Sequence, residues 1–98
     1  MQFLVTAHDF KDDEAINRRQ AARAEHLSEA TKLMQENILL SAGALLDDKG
    51  KMLGSTLLYE VESNEALVKL LDADPYISNR VWEKYTIQEV KLFKPTLS

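Results

Sequence analysis

The sequence predicts an α+β protein with the ferredoxin-like order βαββαβ, a four-stranded antiparallel sheet carrying both helices on one face. Three features carry that expectation. Helix-spaced apolar residues alternate with strand-like runs. Two of those runs flank the short polar turn DDKGK. A second helix, ended by Asp74-Pro75, leads into a final strand-like run.

Residues 2–8 (QFLVTAH) favour a strand and give way to the polar loop DFKDDE. Asp12 or Asp13 is placed to cap the helix that follows, with Asp13 and Glu14 near its positive end. This helix should run through residue 36 or so, with Ile16, Leu27, Ala30 and Met34 as its apolar stripe. ENILLSAGALL and MLGSTLLYEV then form a hairpin around DDKGK. Ser63 caps a second helix, SNEALVKLLDA, with Glu65 in its first turn. Asp74-Pro75-Tyr76 ends it, because a residue before proline is pushed out of the α region. VWEKYTIQEVKLF closes the order as a last strand. Its alternation slips, with Tyr85 and Ile87 on one face and Val90 and Leu92 on the other. A bulge near Gln88–Glu89 would reconcile them.

The 98 residues are expected to form a single domain, 1–98, with one two-layer core. A net charge of −4 argues against nucleic-acid binding, which needs a basic surface for phosphate. No run of about 18 apolar residues is present, so no membrane span is expected. MQFLVTAH lacks the basic and long apolar regions of a signal peptide, and a cytoplasmic location is expected. Without cysteine there is no disulfide, thiolate metal site or cysteine nucleophile.

Two helices cover one face of such a sheet, yet apolar residues occur on both parities of its strands. Ile38, Leu40, Ala42, Ala44 and Leu46 share one parity, Leu39 and Leu45 the other. Leu57, Tyr59 and Val61 oppose Thr56 and Leu58, and Phe3, Val5 and Ala7 oppose Leu4 and Thr6. The expectation is a homodimer formed through the helix-free face; the alternative is a hydrophobic ligand groove on a monomer.

The first helix holds a puzzle. Arg23 falls on the same face as Ile16, Leu27, Ala30 and Met34, with Arg19 and His26 beside it. Asp9 ends the first strand on the face of Phe3, Val5 and Ala7, near the helix's early turns. Either the arginine stems cover apolar surface with their heads at the rim and His26 makes a structural hydrogen bond, or the cluster is a site. In the second case Asp9 orients His26 as general acid or base, and the arginines hold an anionic group of a small ligand.

Ala7-x-Asp9, Arg19-x3-Arg23-x2-His26-Leu27, Leu39-Leu40-x-Ala42-Gly43, Gly54-Ser55, Ala73-Asp74-Pro75-Tyr76 and Val81-Trp82-Glu83 occur in that order along nearly the whole chain. Together they resemble the YCII-related family of the dimeric α+β barrel superfamily. The resemblance implies a ferredoxin-like protomer, a homodimer, and a pocket between first helix and sheet with a His/Asp pair. His26 carries the catalytic expectation by that resemblance, Asp9 is its first partner and Asp74 its second. Most members lack an assigned reaction, but one relative removes chloride from chlorinated hydroxyquinols, and the wider superfamily includes muconolactone isomerases. The implied chemistry is proton transfer or elimination on a small oxygenated acid. The chain departs from the family's usual pattern at Ala44, where many members have proline, at Arg80, where glycine is common, and at Glu89–Phe93, where a Pro-Phe ending is usual. Arg80 would narrow the pocket mouth or add a cation to it.

Ser55 and Tyr76 are further candidates to donate to a substrate oxygen, though a strand serine and a packed aromatic are the plainer alternatives. Asp74 is also placed to cap a turn starting at Pro75, and Trp82 to pack in the dimer or under that turn. No metal is expected: His8 and Asp9 point to opposite faces, and Glu25 and His26 lie about 100° apart on their helix. The leading expectation is a cofactor-independent lyase or isomerase using His26. Its rivals are a non-enzymatic small-anion-binding or regulatory dimer and a dimerisation module with no pocket.

Overall fold

The computed structural model describes residues 1–93; residues 94–98 of the expected domain lie outside the described residues. The elements are β1 (Gln2–Asp9), α1 (Ala15–Gln35), β2 (Leu39–Leu46), β3 (Met52–Glu60), α2 (Asn64–Asp72), the short α3 (Pro75–Ser78) and β4 (Trp82–Val90). They form one antiparallel sheet in the order β2-β3-β1-β4, the ferredoxin-like arrangement, with α3 as an addition. No helix among the described residues is long and apolar enough to cross a membrane.

The core follows from the period of two on the central strand. Phe3, Val5 and Ala7 are buried, and directly opposite residues point to the same side. Tyr59, Leu57 and Ser55 on β3 therefore join them, as do Ile87 and Tyr85 on β4. Leu67 and Leu71 close this layer from α2, whose Ser63 cap accepts the Ala66 N–H at 3.1 Å. The hairpin closes as its composition demands: the Asp47 carboxylate accepts the Lys49 and Lys51 N–H groups, and Gly50 takes φ +80°.

Three expectations about the strands and the start of α1 need correction. First, β4 has no register shift near Gln88–Glu89. Glu83 is the extra residue, opposite the His8/Asp9 step, which turns both Trp82 and Tyr85 toward the helices. Val90 then faces the open side of an unbroken ladder. Second, β2 is irregular at Leu40, so Leu39 joins Ala42 and Ala44 on the helix side instead of opposing them. The helix-free face consequently presents Leu4, Leu45, Leu58 and Val90 among Thr6, Thr56 and Thr86, less apolar than parity counting implied. Third, α1 starts later: Glu14 is its N-cap without a side-chain hydrogen bond. Asp12 instead accepts the Glu14 N–H and both terminal nitrogens of Arg18, the latter at 2.7 Å.

That Arg18 pair holds the exposed Asp12 carboxyl at about 2, below its ordinary value. A lowered carboxylate contributes stability that is present above its unfolded pKa of about 4 and lost as pH falls through about 2. In Arg18→Ala the Asp12 carbon resonance should titrate near the ordinary value, read by NMR.

The buried face of α1 also differs from the expected stripe. Ala15, Arg19, Ala22 and His26 are buried, while Arg23, Leu27 and Met34 are not. Two alanines let the helix approach the sheet closely, and Arg19 and His26 find partners there that make their burial tolerable. The helix ends with Asn37 at φ +60° and the Ile38 N–H donating to Leu33 O, a left-handed cap that asparagine accommodates. Arg80, at φ +57°, takes the same conformation, which explains why glycine suits this position. It does not line the cleft beneath α1. Its guanidinium lies 5.0 Å from the Phe10 ring centroid, and its carbonyl accepts from Arg18 Nε at 2.9 Å.

Gly54 is fixed by close approach. A Cβ added there would overlap the Ala7 carbonyl oxygen, a backbone atom that cannot swing aside. Gly54→Ala should therefore destabilise the protein by about 1–3 kcal/mol or more, as overpacking does, measured as a lowered midpoint in urea unfolding.

Candidate active site

Asp9, the last residue of β1, stays on the helix side and meets Arg19 after one turn of α1. Arg19 Nη1 donates to both Asp9 oxygens at 2.9 Å, and Nη2 donates to Gly54 O and Ser55 Oγ at 3.2 Å. Burial pushes the Asp9 carboxyl above its ordinary value, with the Arg19 charge and hydrogen bonds pulling the other way. Ser55 Oγ also accepts from Trp82 Nε1 at 3.1 Å. Neither of its donors can accept a bond, so the Ser55 hydroxyl hydrogen is left to donate elsewhere. Arg19 Nε is buried without a partner.

His26, two turns further along α1, does not reach Asp9. Its Nδ1 lies 2.8 Å from Asp74 Oδ1, which also accepts the Tyr76 N–H at 2.8 Å. Asp74 thus caps α3 and holds the histidine with one oxygen. An ionised carboxylate only accepts, so Nδ1 is the nitrogen that carries a proton here, and in the neutral imidazole Nε2 is the one left with a lone pair. The imidazole stacks on the Tyr76 ring at 3.7 Å with 6° between planes, and Trp82 meets both rings edge-on at 5.5 Å. Arg19 Cζ lies 5.0 Å from the Tyr76 centroid. Burial raises the Tyr76 hydroxyl above its ordinary pKa, opposed by the charges of Arg19 and Arg23.

The expected Asp9–His26 pair is therefore replaced by two pairs, Asp9 with Arg19 and His26 with Asp74. The bulge at Glu83 swings Trp82 under α1 and joins them through Ser55. Trp82, expected from the sequence only to pack in the dimer or under the Pro75 turn, is the residue whose place in the site was not anticipated; the slipped alternation of β4 and the Val81-Trp82-Glu83 motif were its signals.

A cavity of about 240 Å³ opens between α1 and β2. Arg19, Arg23, His26 and Tyr76 lie along it, Leu27 and Met34 form a wall, and Ala42–Ala44 form a floor without bulk. Ser55 and Asp74 stand behind that lining rather than in it. A larger hollow of about 450 Å³ lies by the β1–α1 loop, but Asp9 is the one candidate residue bordering it. Arg19, Arg23, His26 and Tyr76 gather instead at the smaller cleft. Among the described residues, no three His, Cys, Asp or Glu side chains gather as a metal set.

The YCII-related domain matches residues 1–91. The chain belongs to the YCII-related family. It is 33% identical to Protein YciI of Escherichia coli over 97 residues, covering 93% of this chain and 97% of that one. An uncharacterised Haemophilus influenzae protein is 28% identical over 97 residues, with the same coverage. The YCII fold is also seen in the 5-chloro-2-hydroxyhydroquinone dehydrochlorinase TftG of Burkholderia phenoliruptrix, solved with 2,5-dihydroxybenzoquinone. That structure has a TM-score of 0.79 at 23% identity, covering 93% of this chain and 94% of that one.

Proposed function

We propose that this YCII-related protein is a small, cofactor-independent enzyme that moves a proton, or eliminates a small acid, on a one-ring oxygenated substrate. The observation that carries this is the His26–Asp74 pair at the side of a cleft flanked by two arginines. Nε2 of His26 takes a proton from the substrate, and the freed electron pair forms the new double bond. In an elimination the leaving group departs with its own bonding pair. Asp74 stabilises the imidazolium so formed. Arg23, with no ion pair among the described residues, meets an anionic oxygen. Arg19 is held by Asp9 and acts with Ser55 from the cleft's inner edge. The dehydrochlorinase named above supports this class of reaction. The working form is a homodimer of single-domain protomers joined through the helix-free face, where Leu4, Leu45, Leu58 and Val90 supply the apolar contact.

The first experiment offers 5-chloro-2-hydroxyhydroquinone and related chlorinated or hydroxylated one-ring acids, and follows chloride release and absorbance. Turnover that disappears in a His26 variant is expected. Arg23, exposed in the cleft, also fits plain anion binding. Binding without turnover across the series, weakened in Arg23→Ala, would establish that reading instead.

A further inference from the structure

We propose that β2 pairs antiparallel with β2 of a second copy about a two-fold axis through Gly43, joining two sheets edge to edge and closing the open side of the cleft. The proposal does not rest on the catalytic reading.

The two edges of the sheet differ in character. β4 carries Glu83, Lys84 and Glu89, charges of the kind that guard an edge against pairing. β2, LLSAGALL, carries none, and only Leu39 is buried along it. Leu40 and Leu46 are 40% and 57% exposed. An uncharged, unpaired edge offers its free N–H and C=O groups to another strand.

The sequence of β2 selects a second copy as that strand. Directly opposite residues of an antiparallel pair point to the same face, so a two-fold axis normal to the sheet must pass through a residue, not between two. Centred on Gly43, the pairing sets Ala42 against Ala44 and Ser41 against Leu45, each pair occurring twice. The small residues sit at the middle, where approach is closest.

The helix side points the same way. Ala42 and Ala44 lie uncovered on the edge, and Leu27 and Met34 of α1 stand over them 47% and 41% exposed. Edge pairing extends that alanine floor into the alanines of the second copy and brings the two α1 helices together across it. Each cleft then gains a wall from its neighbour. This contact uses a different surface from the helix-free face, so both together would give four copies related by perpendicular axes.

Gly43→Cys tests the register directly, because the chain has no cysteine of its own. A Cβ at Gly43 meets only Thr56 Cγ2, at 3.9 Å, so the side chain fits. Across the proposed axis the thiol introduced at position 43 faces its own copy, with Cα atoms about 4.5–5.5 Å apart, within disulfide reach of about 7 Å. Sheets stacked face to face sit about 10 Å apart, outside that reach. Leu45→Cys is the control, since its copies lie about 13 Å apart in this register, four residues along a strand. Under mild oxidation, Gly43→Cys should run as a covalent dimer on a non-reducing gel, and Leu45→Cys as a monomer. A folded Gly43→Cys protein that stays monomeric, or equal cross-linking of Leu45→Cys, overturns the proposal. Should Gly43→Cys fail to fold, Ala42→Cys/Ala44→Cys places two reciprocal cysteine pairs across the same axis and is read the same way.

Discussion

Arg19→Met should cost the fold about 3–5 kcal/mol, the usual penalty for breaking a buried ion pair by removing one partner. The side chain leaves behind Asp9, which is 8% exposed and whose carboxylate takes its two bonds from Arg19 alone. It also strips Ser55 and Gly54 O of a donor. For a domain of this size the loss corresponds to a melting temperature lower by about 15–30 °C, read by calorimetry. Adding Asp9→Leu should recover much of it, because the double variant buries no unpaired charge. An Arg19→Met protein that melts within a few degrees of the parent would show that water reaches Asp9 and that the pair is not a buried one.

His26→Gln should leave the fold in place and lower kcat on the cognate substrate by about 10²–10⁴-fold, the range for losing a general acid or base. Glutamine can still lie against Tyr76 but cannot shuttle a proton. Asp74→Asn is the informative companion. Asparagine caps helices as well as aspartate does, so α3 should survive, while the negative charge beside the protonated ring is gone. A smaller loss of kcat with little change in KM is expected. Asp9→Asn, by contrast, should act on stability rather than on the shape of the pH–rate profile. An Asp9 variant that shifts that profile while Asp74→Asn does not would return the histidine's partnership to Asp9.

The sequence carried the architecture because its signals were local. Parity on Phe3, Val5 and Ala7, the Asp47–Gly50 turn, and the cap at Ser63 each depend on residues a few positions apart. The buried face of α1 was not local. Apolar spacing favoured Leu27 and Met34, but Arg19 and His26 are the residues that go inside, each satisfied by a carboxylate from another element. Asp74 lies 48 positions from His26, and local spacing does not announce the meeting; the family resemblance alone offered Asp74, and only second to Asp9. The bulge of β4 was legible as a fault in alternation but not as a position. Only the pairing of Asp9 with Trp82 fixes it at Glu83. The candidate residues were thus legible as a neighbourhood, and their partnerships came from the fold.

The cleft divides its labour between two kinds of scaffold. Its polar end is built from Arg19, His26 and Tyr76, which are buried and tied to β1, β3 and α3. Its floor is Ala42–Ala44, on an edge strand where only Leu39 enters the core. Exchanging an alanine there for valine or serine alters the space beside α1 and touches almost nothing in the protomer's own core. Descendants of such a chain are free to reshape the floor of the cleft at little cost to the protomer's stability, while its polar end stays under the constraint of the core.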